Sequence, residues 1–88
     1  MWYTYALKGD RRIYIGMTSD LRRRLSEHLS GKTHSTSRMG KLTLVYYEAF
    51  LSKQDAINQE LFYKTGRGRE VLKDKIGNSL GMASSSSG

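Results

Sequence analysis

Residues Ile13–His28, IYIGMTSDLRRRLSEH, decide how the rest of the chain is read. Ile13, Tyr14 and Ile15 are β-branched or aromatic and suit a pleated, half-buried strand. Gly16 ends that run where a close backbone approach or an unusual φ is expected. Thr18, Ser19 and Asp20 then offer short side-chain oxygens that can cap a helix start. Leu21, Leu25 and Leu29 recur every four residues and predict an apolar stripe on that helix. Arg24 and His28, also four apart, share a face close to the stripe. The stretch therefore predicts a strand, a glycine turn and a basic helix that set a tyrosine against an arginine and a histidine. Beside a core, that grouping suits the handling of a phosphate.

Working outward, Trp2–Leu7 predicts a first strand, and the Lys8-Gly9-Asp10 turn returns it onto Ile13–Gly16 as a hairpin. Tyr3 and Tyr5 point to one side of it, Trp2 and Thr4 to the other. Gly31 is placed to end the first helix as its C′ residue. Gly31–Lys41, GKTHSTSRMGK, reads as a long polar loop carrying His34 and Arg38, and long loops in small domains tend to be functional. Leu42–Phe50 predicts a third strand. Ser52 with Asp55 resembles a capping box opening a second helix, whose inner face is read as Ala56, Ile57 and Leu61 with Glu60 beside them. Gly66 and Gly68 are expected to interrupt the chain over Thr65–Arg69. Glu70–Ile76 then predicts a short helix anchored by Val71, Leu72 and Ile76. From Gly77 onward, GNSLGMASSSSG predicts a frayed tail over residues 77–88. The expected fold is α+β in the order β-β-α-β-α-α, a small mixed or antiparallel three-stranded sheet flanked by helices, forming one domain over residues 1–76.

Composition bounds the function. A chain of 88 residues buries only ~60–65% of its unfolded surface, so its core is thin. There is no cysteine, which excludes disulfides and thiolate metal sites. No apolar run approaches the ~20 residues of a membrane span and no signal-peptide pattern opens the chain, so a cytoplasmic protein is the expectation. The net charge is +7, with a pI near 9.9, which points to a polyanion partner. That charge is uneven. Up to Leu44 there are nine basic residues against three acidic, leaving +6; beyond it six stand against five, leaving +1. The basic surface thus belongs to the half around the opening stretch. Its candidate phosphate contacts are Arg22, Arg23, Lys32, His34, Arg38 and Lys41, joined from the second half by Lys64. The bland alternative for each is a solvated charge, and for Lys64 an ion pair with Glu60.

Taken together, these residues resemble a GIY-YIG endonuclease domain of the small stand-alone kind. The second half-motif stands as Tyr14-Ile15-Gly16. The first is diverged: WYTYAL supplies Tyr5 with no preceding glycine, and Tyr3 competes for the same role because the register depends on the hairpin length. The resemblance covers roughly Met1–Ile76. It implies Arg24 as the catalytic arginine, His28 as the histidine one turn later, and Glu60, followed by Lys64 in AINQELFYK, as the metal-binding glutamate. Met17 stands where many members carry a lysine, so a phosphate contact from that position is missing here. The resemblance implies a metal-dependent endonuclease acting on DNA, with RNA open as a substrate. The sequence points to no obligatory protein partner.

The chemistry can also be argued without the family. Phosphodiester hydrolysis needs an activated water, charge stabilisation on the phosphate and help for the leaving alkoxide. Glu60 is a hard oxygen ligand suited to one Mg²⁺ or Mn²⁺, and with one obvious carboxylate a single-metal site is expected. Arg24 can fork onto a phosphate oxygen without ever losing its charge. Tyr14 and His28 both remain candidates for the general base, with ordinary pKa values near ~10 and ~6.5. Tyr5 would position water or phosphate through its hydroxyl. The chain carries no zinc-finger or helix-turn-helix pattern, so single-stranded or branched DNA is expected ahead of a specific duplex sequence. A binding module without turnover is the competing expectation.

Overall fold

The structure, a computed structural model, describes residues 1–77. In chain order it comprises β1 (Trp2–Lys8), β2 (Ile13–Thr18), α1 (Leu21–Leu29), a short 3-10 turn (His34–Thr36), β3 (Thr43–Phe50), α2 (Lys53–Tyr63) and α3 (Gly66–Lys75). This is the α+β order expected. The three strands form one sheet in the order β2-β1-β3, and both pairings are antiparallel, which removes the mixed alternative. The expected tail beyond Gly77 lies outside the described residues. No described helix is long and apolar enough to cross a membrane.

β1 is the central strand, and its Thr4–Leu7 run is buried on both faces. Cross-strand partners share a face, so Tyr5, Leu7, Tyr14 and Gly16 lie on one side, and Ala6 and Ile15 on the other. The second side carries the apolar core: Ala6, Ile15 and Val45 pack against Tyr63 of α2 and Leu72 and Ile76 next to it. Each fully buried aliphatic side chain there contributes about 1.5–3 kcal/mol. Thr4 donates from Oγ1 to the Ala56 carbonyl at 2.8 Å, tying α2 to β1. Glu48 accepts from Gln59 and from the Tyr63 hydroxyl, each at 2.9 Å, and Lys75 donates to that hydroxyl at 3.0 Å. This polar network links β3 to both α2 and α3.

The ends of the elements follow from local chemistry. Asp20 caps α1, accepting from the Arg23 N–H at 3.1 Å. Gly31, at φ +79°, closes α1: its N–H bonds the His28 carbonyl and the Lys32 N–H bonds that of Glu27, a Schellman turn. Ser52 caps α2 through the Asp55 N–H, as expected.

Three expectations are corrected. Leu29 is 63% exposed, and the buried residue of α1 is His28, whose ring is bonded on both sides by hydroxyls from outside the helix. Leu61 is 58% exposed, and α2 instead turns Ala56 and Tyr63 inward. Gly66 and Gly68 do not break the chain but form the first turn of α3, which starts four residues earlier than expected. Thr65 caps it, and a side chain on Gly68 would collide with the Phe62 carbonyl, so glycine here permits the close joint between α2 and α3.

Candidate active site

The face of the sheet opposite the apolar core carries the polar residues singled out in the sequence. Tyr5 is 1% exposed and crosses over Gly16, its partner in the sheet. A Cβ at Gly16 would overlap the Tyr5 hydroxyl and the Tyr14 ring. The glycine is therefore required by the packing of the two motif tyrosines. Tyr3 sits elsewhere, packing edge-on against Tyr47 at a ring separation of 6.3 Å. The register thus brings Tyr5, and not Tyr3, into the cluster.

His28 reaches this face from α1. Its ring lies 5.2 Å from that of Tyr14 and 5.7 Å from that of Tyr5. Nε2 is 2.7 Å from the Tyr5 hydroxyl, and Nδ1 is 2.8 Å from Oγ1 of Thr36 in the 3-10 turn. A neutral imidazole donates through one nitrogen and accepts through the other, so the two hydroxyls satisfy the ring completely. Burial lowers the His28 pKa below the usual histidine value, the Arg24 charge lowers it further, and Glu27 opposes them. The ring is therefore neutral at pH 7. Burial pushes the Tyr5 hydroxyl up to about 12; the Arg24 guanidinium offsets part of this, and Tyr14 and Glu60 add to it. Tyr5 is accordingly a protonated hydroxyl held in place by His28.

Arg24 donates from Nη1 to Glu27 at 3.0 Å, and Arg23 reaches the other oxygen of the same carboxylate at 3.3 Å. The bond from Glu27, seconded by Tyr5, raises the Arg24 pKa further above its usual value. Glu27 thus aims one arginine at the tyrosine cluster. Glu60 stands on α2, with a side chain 20% exposed, and Lys64 pairs with it at 2.9 Å. Among the described residues no three His, Asp or Glu side chains gather as a metal cage. A partly buried lone carboxylate still fits Mg²⁺, which binds through one or two carboxylates and keeps several waters. Glu60 is the residue that would hold such an ion.

The remaining expected contacts form an exposed rim. Arg22 lies on the outer side of α1, and Lys32, His34 and Arg38 are exposed along the loop. Lys41 borders a cleft of about 390 Å³ that His28 and Thr36 also line. Arg23 is paired with Asp20 and Glu27, and Lys64 with Glu60. Two contributors escaped the sequence reading. Thr36 is one of several hydroxyls in a polar loop and nothing local marks it. Glu27 was marked by its spacing, three and four residues after Arg24 and Arg23.

Comparison with known proteins gives the family. The family model described as GIY-YIG catalytic domain matches residues 1–73. A UPF0213 protein of Bacillus pumilus is 42% identical over 65 residues, covering 72% of this chain and 66% of its own length. A UPF0213 protein of Pediococcus acidilactici is 36% identical over 76 residues, covering 82% and 78%. The solution NMR structure of a UPF0213 protein from Bacillus halodurans is similar at a TM-score of 0.54 and 35% identity, over 84% of each chain. With Tyr5, Tyr14, Gly16 and His28 gathered on one face of the sheet, the chain belongs to the GIY-YIG nuclease family, alongside the small UPF0213 proteins.

Proposed function

We propose that the protein is a metal-dependent endonuclease that hydrolyses phosphodiester bonds of DNA, acting on single-stranded or branched substrates ahead of specific duplex sequences. The observation that carries this reading is the convergence of Tyr5, Tyr14 and His28 on one face of the sheet, with the Arg24 guanidinium beside Tyr5. Arg24 forks onto a non-bridging phosphate oxygen and stabilises the charge that grows there in the transition state. Glu60 would hold a Mg²⁺ or Mn²⁺, which would supply further charge stabilisation when bound.

The geometry favours different roles for the two candidate bases. Both ring nitrogens of His28 are already bonded to hydroxyls, and the ring is 2% exposed. Such a ring has no free lone pair for an attacking water; it orients the Tyr5 hydroxyl instead. Tyr14 is half-buried on the same face and is the group left to act as base, its phenolate taking the proton of the water and becoming the neutral hydroxyl. Tyr5, itself 1% exposed, holds the His28 ring through its hydroxyl and packs beside Tyr14. Arg22, Lys32, His34, Arg38 and Lys41 hold the flanking backbone.

The test is cleavage of labelled single-stranded, duplex and branched DNA, and of matched RNA, with and without Mg²⁺, for the wild type and Glu60→Gln. The amide keeps the shape of Glu60 but is a poor Mg²⁺ ligand, so the variant should bind nucleic acid and fail to cut. A variant that cuts at the wild-type rate across a Mg²⁺ titration would remove Glu60 as the metal ligand. A wild type that binds every substrate and cuts none would leave a binding module.

A further inference from the structure

The strongest unassigned feature lies on the opposite face of the sheet, where the β1–β2 hairpin meets α3. A cleft of about 260 Å³ opens there, walled by Lys8, Arg11, Arg12, Arg69 and Lys73. Among the described residues none of these five cations pairs with a carboxylate. The one acidic residue of the wall, Asp10, has its carboxylate over Gly40 and its N–H bonded to the Met39 carbonyl. The floor is apolar, made by Ile13, Ile15 and Leu72, the last two 5% and 2% exposed. Five unpaired cations repel one another, and an anion in the cleft relieves that repulsion. The apolar floor beneath them suits the flat face of a base attached to that anion.

We propose that this cleft holds one nucleotide of a single nucleic-acid strand that leaves the active site around the β2 edge; this rests on the nuclease reading above. β2 is bonded to β1 alone, so it forms one edge of the sheet. Tyr14 faces the active site, while its neighbours Ile13 and Ile15 face the cleft. The two sites are thus separated by the thickness of one strand. A duplex, with a persistence length of about 50 nm, does not bend around the edge of a domain only 39 × 29 × 21 Å in extent. A single strand does. The cleft takes the phosphate between the arginines and lysines and seats the base on Ile13, Ile15 and Leu72.

The experiment uses the full chain in the Glu60→Gln background, so that binding is read without cleavage. Fluorescence anisotropy compares a duplex carrying a single-stranded tail with the same duplex blunt, for this background and for Arg69→Gln with Lys73→Gln added. Unchanged circular dichroism and melting temperature show that the added changes leave the fold intact. The tailed substrate should lose about tenfold or more in affinity, and its log–log salt slope should flatten by about 1.4, two contacts at ~0.7 each. Blunt-duplex affinity should stay the same. An unchanged tailed affinity and slope would overturn the proposal, and so would an equal loss on both substrates. Methyl NMR of the same background gives an independent reading: a short single-stranded oligonucleotide should shift the signals of Ile13, Ile15 and Leu72, while inorganic phosphate should not. Matching shifts from phosphate alone would reduce the cleft to a simple anion site and overturn the strand assignment. Absent Mg²⁺-dependent cleavage by the wild type would sink the nuclease reading while leaving these binding results standing.

Discussion

Tyr5→Phe separates the hydroxyl of the motif tyrosine from its ring. The ring is retained, so its packing across Gly16 should survive. The loss is the bond of 2.7 Å to His28, in a site where Tyr5 is 1% and His28 2% exposed. An orphaned buried nitrogen costs about 1–3 kcal/mol, or a fall in melting temperature of ~4–8 °C for each kcal/mol. The pH dependence makes the test specific. The Tyr5 pKa rises from 10.0 to about 12 on folding. The stability this contributes is therefore fully present below pH 10 and is lost as pH rises towards 12, at up to ~1.4 kcal/mol per pH unit, because the unfolded chain gives up the proton first. Tyr46 is shifted in the same direction to about 12, but it is present in both proteins and cancels in the difference. Urea unfolding followed by circular dichroism between pH 7 and 11 should show a stability gap that is constant to about pH 10 and then narrows. Equal stabilities at pH 7, or a gap of constant size throughout, would refute the placement of the hydroxyl in a buried bond with His28.

Other outcomes follow from the same cluster. Tyr14→Phe should lower single-turnover cleavage by the ~10²–10⁴ of general-base loss with folding unchanged, and His28→Ala should lower it less; the reverse ranking would return the base to His28. Gly16→Ala should destabilise by about 1–3 kcal/mol, since the new methyl meets the Tyr5 hydroxyl and the Tyr14 ring, and should reduce cleavage along with stability in a denaturant titration. The His28 pKa is lowered by burial, so the stability of the neutral ring is complete above about pH 6.5 and declines as pH falls towards the lower folded value. A His28→Gln protein should show a shallower decline over that window, and parallel pH curves would mean that the ring is not buried neutral.

The sequence alone determined the order of elements and most of the motif. Strand and helix types follow from short-range chemistry: β-branched and aromatic runs, four-residue spacing, and capping oxygens at Asp20 and Ser52. Gly16 and Tyr14 were legible at the end of their strand for the same reason, whereas Arg24 and Glu60 were singled out through the resemblance to the GIY-YIG family. Where local cues were misread, a distant neighbour decided. Gly68 carries breaker chemistry, yet the Phe62 carbonyl presses against it and makes it a joint within continuous helix. Leu29 continues the leucine spacing, but His28 takes the buried place because two hydroxyls from outside the helix satisfy its ring.

Only the tertiary structure decided what meets what. Tyr3 and Tyr5 point the same way along β1, and nothing within the strand separates them; the pairing of Tyr5 with Gly16 does, because the hairpin turn sets the register. Thr36 becomes a partner of His28 because the loop after α1 folds back on it. Arg11 and Arg12 share a cleft with Arg69 and Lys73 although most of the chain lies between them. Local propensity reaches a few residues along the backbone, whereas hydrogen-bond registry, desolvation and charge clustering act through space. The fold class was therefore readable from short-range signals, and the wiring of the site was left to the packing of the sheet's two faces.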